Sequence, residues 1–368
     1  MNKNKIFKDL LILDLANNHF GDVKHAKKII NQFGSIARLY KKNCAIKFQF
    51  RDLKSYVHNN FINSDHKYVR RFLSTQLSYD DFYTLYKEVK KNKLLTACTP
   101  FDEKSVDYIE KMKFDFLKIA SVSAQDFYLL ERIVKNNIPK IISTGGLQLD
   151  EIDKVVSFMK KKKQIFSLMH CISIYPTANE NLQISFIAEL IKRYNDIKIG
   201  WSTHESPNEF IPSSLAYACG ATLFERHIGI NHHKYKLNNY SMTPSVFKEW
   251  LNNIYKTKEI LGSKNKTILK LETQTLNSLQ RGVYAKRDIL KNEILQTNSS
   301  FSVLNKSRKK EFSILLSIII ILALSITGMI YGFYFFKETI TYFFASQIPI
   351  SWEKKLGKTV FSSMSQGK

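Results

Sequence analysis

Polar and charged side chains recur at the ends of short apolar runs in the first two thirds of the chain. These residues are Asp14, Asn17, Asn18 and His19, then Lys47, Gln49, Thr99, Lys118, Ser121, Ser143, His170, Ser173, Tyr175, Ser202, His204, Glu225 and His227. Two lysines inside apolar runs are too costly to bury without an anion, so Lys47 and Lys118 indicate an anion site. With Thr99, Ser121 and Ser143 they could cradle a phosphate or a carboxylate. A Schiff-base role for Lys118 is the alternative, but the second lysine and the hydroxyl groups favour anion binding.

Two histidines, His204 and His227, end the last two of these apolar runs. Imidazoles from neighbouring strand ends can share one divalent metal, with water and substrate oxygens completing its coordination. The sequence therefore predicts a metal site at this pair. A zinc-protease site is excluded, because no H-E-x-x-H motif is present and His204-Glu205 is followed by Ser206.

The elements that would position these side chains alternate regularly between strand-like and helix-like segments. Predicted strands lie at 10–16, 44–49, 94–98, 116–121, 140–143, 166–171, 198–202 and 223–227, and predicted helices include 80–92, 103–113, 150–163 and 244–261. Apolar, β-branched runs between turn residues are typical of buried parallel strands. Eight strand-helix pairs predict an α/β fold, a (β/α)₈ TIM barrel over residues 1–261, whose catalytic groups lie at the C-terminal strand ends. A doubly wound open sheet is the alternative fold.

Charge and cysteine content exclude other classes of protein. Lysine plus arginine number 56 against 32 acidic residues, which gives a net charge of +24. The positive charge comes mostly from dispersed lysines without a nucleic-acid recognition motif, so we expect a solvated surface and no nucleic-acid binding. Four cysteines without a C-x-x-C pair predict a reduced, cytosolic setting.

The C-terminal part differs in character from the barrel region. Residues 312–336 carry no charge, and as a helix they would be about 37 Å long, enough to cross a membrane. A buried core helix is the alternative, but it would be unusually long and apolar on all faces. Basic residues just before this run place its N-terminal side in the cytoplasm. We therefore predict a cytoplasmic barrel, a linker with a short segment at 262–305, a membrane helix with its flanks at 306–340, and a tail at 341–368.

The strand ends resemble the sialic acid (N-acetylneuraminate) synthase family over about residues 9–261. The matching strings are D-L-A-N-N-H-F-G-D at 14–22, I-K-F-Q at 46–49, C-T-P-F-D at 98–102, L-K-I-A-S at 117–121, S-T-G-G at 143–146, M-H-C-I-S-I-Y-P-T at 169–177, W-S-T-H at 201–204 and F-E-R-H at 224–227. The stretch at 234–244 is similar to a divergent branch associated with bacterial surface polysaccharides.

The resemblance implies condensation of phosphoenolpyruvate with an N-acylated amino sugar, giving a nine-carbon 2-keto sugar acid and phosphate. It implies that phosphoenolpyruvate is held by Lys47, Thr99, Lys118, Ser121, Ser143 and Ser202. Gln49 and Tyr175 would contact the sugar, and His204 and His227 would bind Mn²⁺ or Mg²⁺, which polarises the sugar aldehyde. A carboxylate near the first strand, Asp14, would handle protons or orient water.

Several positions depart from the family pattern. The family usually has Glu at Asp14 and Asn at Ser173, and an Asp that commonly contacts the sugar falls at about Leu237. The identity of the sugar is therefore left open.

The region after the barrel departs further. Residues 281–295 resemble the start of the family's antifreeze-like domain, which supplies an arginine to the partner's active site, so the resemblance implies a homodimer with a truncated second domain. Residues 348–357 are similar to the leader of membrane-bound zinc metallopeptidases. A non-catalytic, membrane-tethered barrel that binds ligand without turnover is the alternative function.

Overall fold

The computed structural model describes residues 7–293, 301–305 and 307–346. The chain divides into two compact units, Met1–Gly262 and Ser263–Lys368. The predicted tail and its metallopeptidase-like string at 348–357 lie outside the described residues.

Eight parallel strands of the first unit close into a barrel in sequence order. They are β1 (Leu10–Asp14), β2 (Asn43–Phe50), β3 (Leu95–Pro100), β4 (Phe116–Ile119), β5 (Lys140–Ser143), β6 (Phe166–Cys171), β7 (Lys198–Ser202) and β8 (Leu223–His227). Closure is made by β1, which pairs with β2 on one side and with β8 on the other. The predicted barrel is confirmed, and the open-sheet alternative is wrong because β1 and β8 are hydrogen-bonded neighbours.

Helices connect the strands and cover the outside of the barrel. They are α1 (Val23–Leu39), α2 (Leu53–Tyr56), α3 (Lys67–Ser74), α4 (Tyr79–Lys91), α5 (Glu103–Met112), α6 (Phe127–Ile133), α7 (Leu149–Lys161), α8 (Phe186–Arg193), α9 (Ile211–Ala218) and α10 (Pro244–Leu261). Their starts follow from capping residues: Ser78 and Asp81 form a reciprocal capping box at α4, and Thr243 precedes Pro244 at α10. Apart from α2 and α3, these helices contribute buried apolar residues that form one large core with the strands.

The inward faces of the strands carry two kinds of residue. Because side chains alternate along a strand, Leu10, Ile12 and Asp14 of β1 share one face. A small apolar cluster that includes Leu10, Ile12, Phe116 and Leu223 fills the N-terminal part of this interior. The alternation that directs these apolar residues inward therefore directs the polar residues at the C-terminal strand ends into the mouth of the barrel.

The second unit contains a helix, a two-stranded ribbon and a long apolar helix. The predicted linker includes α11 (Lys270–Leu279), and β9 (Arg281–Ala285) pairs antiparallel with β10 (Phe301–Asn305). The last helix is α12 (Ser307–Ser346). Its segment Ile318–Thr339, with a mean hydropathy of 2.2, is the one described stretch long and apolar enough to cross a membrane. It overlaps the predicted span at 312–336.

Candidate active site

One cavity of about 1170 Å³ opens at the C-terminal end of the barrel. All twelve residues that the sequence singled out for catalysis, substrate or metal line it, and they come from every strand end and its following loop: Asp14, Lys47, Gln49, Thr99, Lys118, Ser121, Ser143, Ser173, Tyr175, Ser202, His204 and His227. The structure therefore brings the predicted residues together, while the role of each one stays a prediction.

Buried ion pairs form the floor of this cavity. Lys47 Nζ lies 2.9 Å from Asp14 Oδ2 and 3.4 Å from Glu225 Oε1. Lys118 Nζ lies 3.0 Å from Glu225 Oε2. The sequence predicted that an anion must compensate the two lysines; in the structure two carboxylates of the chain itself do so. A Schiff-base nucleophile must be a neutral amine, so an ion-paired Lys118 does not suit that alternative.

Electrostatic attraction keeps Asp14, Glu225 and Lys47 charged despite their burial. Burial, the largest single effect, disfavours the Asp14 carboxylate, but Lys47, His227 and the hydrogen bond from the Ala16 backbone N–H together outweigh it and lower the pKa of Asp14 to about 2. Burial also opposes ionisation of Glu225, and Lys118 and Lys47 lower its pKa. Burial would lower the pKa of Lys47, whereas Asp14 and Glu225 raise it. At neutral pH Asp14 and Glu225 are therefore carboxylates and Lys47 is an ammonium group.

Two hydroxyl groups, from the segments after β4 and after β6, flank a glycine that follows β5 beside this floor. The Gly145 backbone N–H donates to Ser121 Oγ at 3.0 Å. A Cβ atom at Gly145 would lie 2.7 Å from Ser121 Oγ and 2.5 Å from Ser173 Oγ. The absence of a side chain at Gly145 is therefore what lets the Ser121 and Ser173 hydroxyl groups approach the loop after β5.

We expect Gly145→Ala to weaken substrate binding at this cradle. The methyl group must displace the Ser121 or Ser173 hydroxyl, and overpacking of this kind costs about 1–3 kcal/mol. The expected result is a roughly 5- to 150-fold loss of kcat/KM in phosphate-release assays. Gly146→Asn is the matched control, since its φ of +77° suits Asn and no atom of the described residues lies within 4 Å of a Cβ there. Equal activity of both variants and the wild type would refute the cradle.

The two histidines lie side by side at the ends of β7 and β8. Their ring centroids are 5.3 Å apart. The Nδ1 atom of His204 is 3.0 Å from the Ile172 carbonyl oxygen, which leaves Nε2 as its free nitrogen. Burial, together with the neighbouring His227, lowers the pKa of His204 to about 3, and burial also lowers the pKa of His227. Both rings are therefore neutral at physiological pH, which is the metal-binding form.

The donor set fits a divalent metal whose remaining ligands come from water and substrate. The Nδ1 atom of His227 is buried without a hydrogen-bond partner among the described residues, and it lies 3.6 Å from Asp14 Oδ2. The carbonyl contact to His204 Nδ1 is the kind of outer contact that orients a metal-bound imidazole. Among the described residues no cluster of three or more His, Cys, Asp or Glu forms a closed metal site. An open site of two histidines is the arrangement that the chain offers.

Aromatic rings border the histidine pair on its outer side. Tyr175 contacts His204 with ring centroids 4.1 Å apart, and Tyr240 lies 5.1 Å from the His227 ring. Tyr175 and Tyr240 are 5.6 Å from each other. The aromatic rings of Tyr175 and Tyr240 can contact the apolar faces of a sugar, and their hydroxyl groups can contact its polar edges.

Sequence reasoning assigned no role to two residues that the structure places in the site. Glu225 pairs with both lysines, and its signal was available, since it stands two residues before His227 on the same strand face. Arg51 donates from Nη2 to Gln49 Oε1 at 3.0 Å and lies over the rings of Phe72 and Phe101. Nothing in the local sequence marked Arg51, because the two aromatic rings that it contacts come from distant segments.

Other polar strand-end residues hold loops instead of lining the cavity. Asn18 Nδ2 donates to the Ile228 carbonyl at 2.7 Å, and Thr144 Oγ1 donates to the Met169 carbonyl at 3.2 Å. His170 contacts the Leu182 carbonyl at 3.0 Å, and His19 packs edge-on against Phe82. These four side chains therefore make structural contacts within the chain.

A closed parallel barrel with charged side chains from several strands at its C-terminal mouth is the architecture of a (β/α)₈-barrel enzyme. Comparison with known proteins specifies the family. The NeuB family model matches residues 39–266, and the chain belongs to that family.

Individual relatives agree with this assignment. An uncharacterized protein of Methanocaldococcus jannaschii is 32% identical and covers 78% of this chain and 82% of its own length. The N-acetylneuraminate-9-phosphate synthase of Drosophila melanogaster is 28% identical, over 78% of this chain and 84% of the relative. A crystal structure of a Chromobacterium violaceum protein, described as a candidate spore coat polysaccharide biosynthesis protein E, is 38% identical with a TM-score of 0.77, covering 81% of this chain and 89% of that one.

Proposed function

We propose that this protein condenses phosphoenolpyruvate with an N-acylated amino sugar to a 2-keto sugar acid and releases phosphate. The observation that carries the proposal is the meeting, in one cavity, of a buried lysine pair, a serine and threonine cradle and two neutral histidines. Membership of the NeuB family supports the reaction class, and a relative named for the synthesis of N-acetylneuraminate 9-phosphate is consistent with it.

Phosphoenolpyruvate would bind over the lysine floor. Its phosphate and carboxylate would accept hydrogen bonds from Lys47 and Lys118 and from the hydroxyl groups around them, which are Thr99, Ser121, Ser143, Ser173 and Ser202. The carboxylates of Asp14 and Glu225 hold both ammonium groups in position before the substrate arrives. When phosphoenolpyruvate binds, its anionic groups replace the carboxylates of the chain as partners of the lysines. The lysines are therefore already oriented for the substrate.

The sugar would bind on the outer side of phosphoenolpyruvate, with Gln49 and Tyr175 as its contacts. His204 and His227 would hold Mn²⁺ or Mg²⁺, and the bound ion would polarise the sugar aldehyde as a Lewis acid. The π electrons of the enol C2–C3 bond then form a bond from C3 to the aldehyde carbon, water adds at C2, and a proton from that water converts the aldehyde oxygen into a hydroxyl group. The C2–O bond breaks as phosphate leaves.

Asp14 is the residue best placed to handle the proton of that water. Its low pKa keeps it as a carboxylate at neutral pH, so it can accept a proton or orient the water but cannot donate a proton. Gln49 Nε2 lies 3.3 Å from Asp14 Oδ2 and links this carboxylate to the sugar-contacting side of the cavity.

The acceptor class is an N-acylated amino sugar, and the particular sugar is not assigned. Leu237 lines the cavity at the position where the resemblance implies an acidic sugar contact. An apolar side chain there favours a different acceptor from the one that an Asp would bind.

A phosphate-release assay tests the proposal. Purified full-length protein with phosphoenolpyruvate, Mn²⁺ and a panel of N-acylated hexosamines should release phosphate only when a sugar is present, with one 2-keto acid formed per phosphate. A metal-replete preparation that releases none with a broad panel would refute the proposal.

We also infer that the barrel is a homodimer anchored to the cytoplasmic face of a membrane by α12. The apolar segment Ile318–Thr339 supports the anchor by length and composition. Its residues are exposed within the chain, as lipid-facing residues would be. Mass measurement in detergent tests the dimer.

Charged residues in the middle of α12 should release the protein from membranes. Ile320→Lys with Leu324→Lys places two charges on one helix face, and each costs about 2.5–3.5 kcal/mol at the centre of a membrane helix. The doubly substituted chain should move to the soluble fraction in alkaline extraction, while the control, Ile320→Leu with Leu324→Ile, stays with membranes. A wild-type chain that is extracted as readily as the lysine variant would refute the anchor.

A further inference from the structure

A buried arginine lies on the outward face of β8, between two residues of the cavity. Glu225 and His227 line the cavity, so Arg226 between them faces the helix layer outside the barrel. It stands opposite Leu13 in the ladder with β1 and is almost completely buried. On each of the other seven strands the outward face supplies apolar side chains to the large core, among them Leu13, Ile46, Cys98, Leu117, Ile142, Leu168 and Trp201. Arg226 therefore departs from the pattern of the strands around it.

The partner of Arg226 is Glu205, the residue directly after His204. Arg226 Nη2 donates to Glu205 Oε1 at 3.1 Å and to the Ser206 carbonyl at 3.0 Å. Arg226 Nη1 donates to the Pro207 carbonyl at 3.2 Å. Three hydrogen bonds of one guanidinium group therefore tie the chain that follows His204 to β8.

The stability of the fold does not by itself account for this ion pair. Both side chains are almost completely buried, and burial raises the pKa of Glu205 and lowers the pKa of Arg226, so the surroundings disfavour both charges. Glu205 Oε2 and Arg226 Nε have no hydrogen-bond partner among the described residues. Replacing a buried ion pair by apolar residues is often neutral or stabilising. The position of the pair in the fold is the better guide to its role.

The backbone ladder holds His227 and ends before His204. His227 lies opposite Asp14 in the ladder with β1, and its carbonyl accepts from the Met242 N–H at 2.8 Å. The ladder between β7 and β8 ends at the pair of Ser202 with Glu225. One further backbone hydrogen bond joins the Thr203 N–H to the Glu225 carbonyl at 3.3 Å. Strand pairing therefore fixes His227 but does not reach His204.

The hydrogen bonds of His204 itself lead away from β8. Its Nδ1 atom contacts the Ile172 carbonyl, and its own carbonyl accepts from the Thr177 N–H at 3.1 Å. Both partners belong to the segment after β6. Within the described part of the chain, the hydrogen bonds that join residues 204–207 to β8 are those of Arg226.

We propose that Glu205 and Arg226 are positioning residues, which hold His204 against β8 and so set the spacing of the two histidines for one shared divalent metal. This inference rests on the metal site of the proposed function. Neither side chain lines the cavity, so both would act through the histidines next to them. Loss of a contact that orients a metal ligand costs about 10- to 100-fold in metal affinity.

Mn²⁺ affinity of Arg226→Met tests the role without turnover, because charge and position predict opposite results. Removing a cation near a cation site would strengthen Mn²⁺ binding by charge alone. Loss of the positioning contact should instead weaken it at least about tenfold, measured by electron paramagnetic resonance of the free ion. Arg132→Met is the matched control, since Arg132 pairs with Asp107 and Glu110 and does not line the cavity, and it should keep the wild-type affinity.

The double variant Glu205→Leu with Arg226→Met separates positioning from stability. Arg226→Met alone should destabilise the fold, because it leaves Glu205 buried and unpaired. The double variant removes one charge of each sign and should recover that stability, but its Mn²⁺ binding should stay weak by at least about tenfold. Pulsed electron paramagnetic resonance of bound Mn²⁺ should show coupling to two imidazole nitrogens in the wild type and weaker nitrogen coupling in the double variant.

Wild-type Mn²⁺ affinity in a stable double variant would overturn the inference and leave the metal site intact. Unchanged or tighter Mn²⁺ binding by Arg226→Met would do the same. A His204→Ala variant that binds Mn²⁺ as the wild type does, or a wild type that binds none, would overturn the inference together with the metal site. The phosphate-release assay then decides separately whether the condensation takes place.

Discussion

Lys118→Met should lower phosphate release by at least about 1000-fold, equivalent to about 4 kcal/mol of transition-state stabilisation. The variant removes a cation from the proposed phosphoenolpyruvate site and leaves Glu225 buried with Lys47 as its remaining cationic partner. Breaking a buried pair from one side costs about 3–5 kcal/mol at most sites, so unfolding by urea should show a loss of stability as well. Activity and stability are therefore both expected to fall.

The double variant Lys118→Met with Glu225→Gln separates the two effects. Gln at position 225 removes the excess buried negative charge and leaves Lys47 paired with Asp14, so most of the lost stability should return. Activity should stay low, because the ammonium that would bind phosphoenolpyruvate is still missing. Recovery of activity along with stability would contradict the assignment and would make Lys118 a structural residue only.

Alanine at either histidine should abolish metal-dependent turnover. His204→Ala and His227→Ala each remove one of the two imidazoles that lie 5.3 Å apart, and we expect a loss of at least about 1000-fold in rate with a matching loss of Mn²⁺ affinity. His233→Ala, an exposed histidine that does not line the cavity, is the control and should behave like the wild type. If either cavity variant kept the full rate in the absence of metal, the metal assignment would be wrong.

The barrel could be predicted from the sequence because each strand is a short apolar run that can be recognised within its own segment. The ends of the strands were less predictable where the chain turns. The first predicted strand ran to residue 16, but β1 ends at Asp14 because Ala16 adopts a left-handed φ of +44°. The fourth ran to residue 121, but β4 ends at Ile119 and a short turn begins at Ser121. Apolar residues continue into both turns, so the hydrophobic periodicity of the sequence does not mark where these two strands end.

The site was predictable as a set of residues and not as a network of contacts. Barrel geometry places every strand end at one mouth, which is why the lysines and histidines could be grouped from sequence. The pairing of Lys47 with Asp14 and Glu225 depends on closure between β1, β2 and β8, which no single segment encodes. Arg71, which lines the cavity, lies on α3, a helix that the sequence pattern did not predict.

The fate of the bridging oxygen of phosphoenolpyruvate tests the central claim most directly. With a heavy oxygen isotope placed between C2 and phosphorus, condensation breaks the C2–O bond, so the label should appear in the released phosphate, with one labelled phosphate per 2-keto sugar acid. A hydrolytic or phosphoryl-transfer reaction breaks the P–O bond instead. Label found in a three-carbon keto acid, with unlabelled phosphate and no sugar acid, would contradict the proposed function.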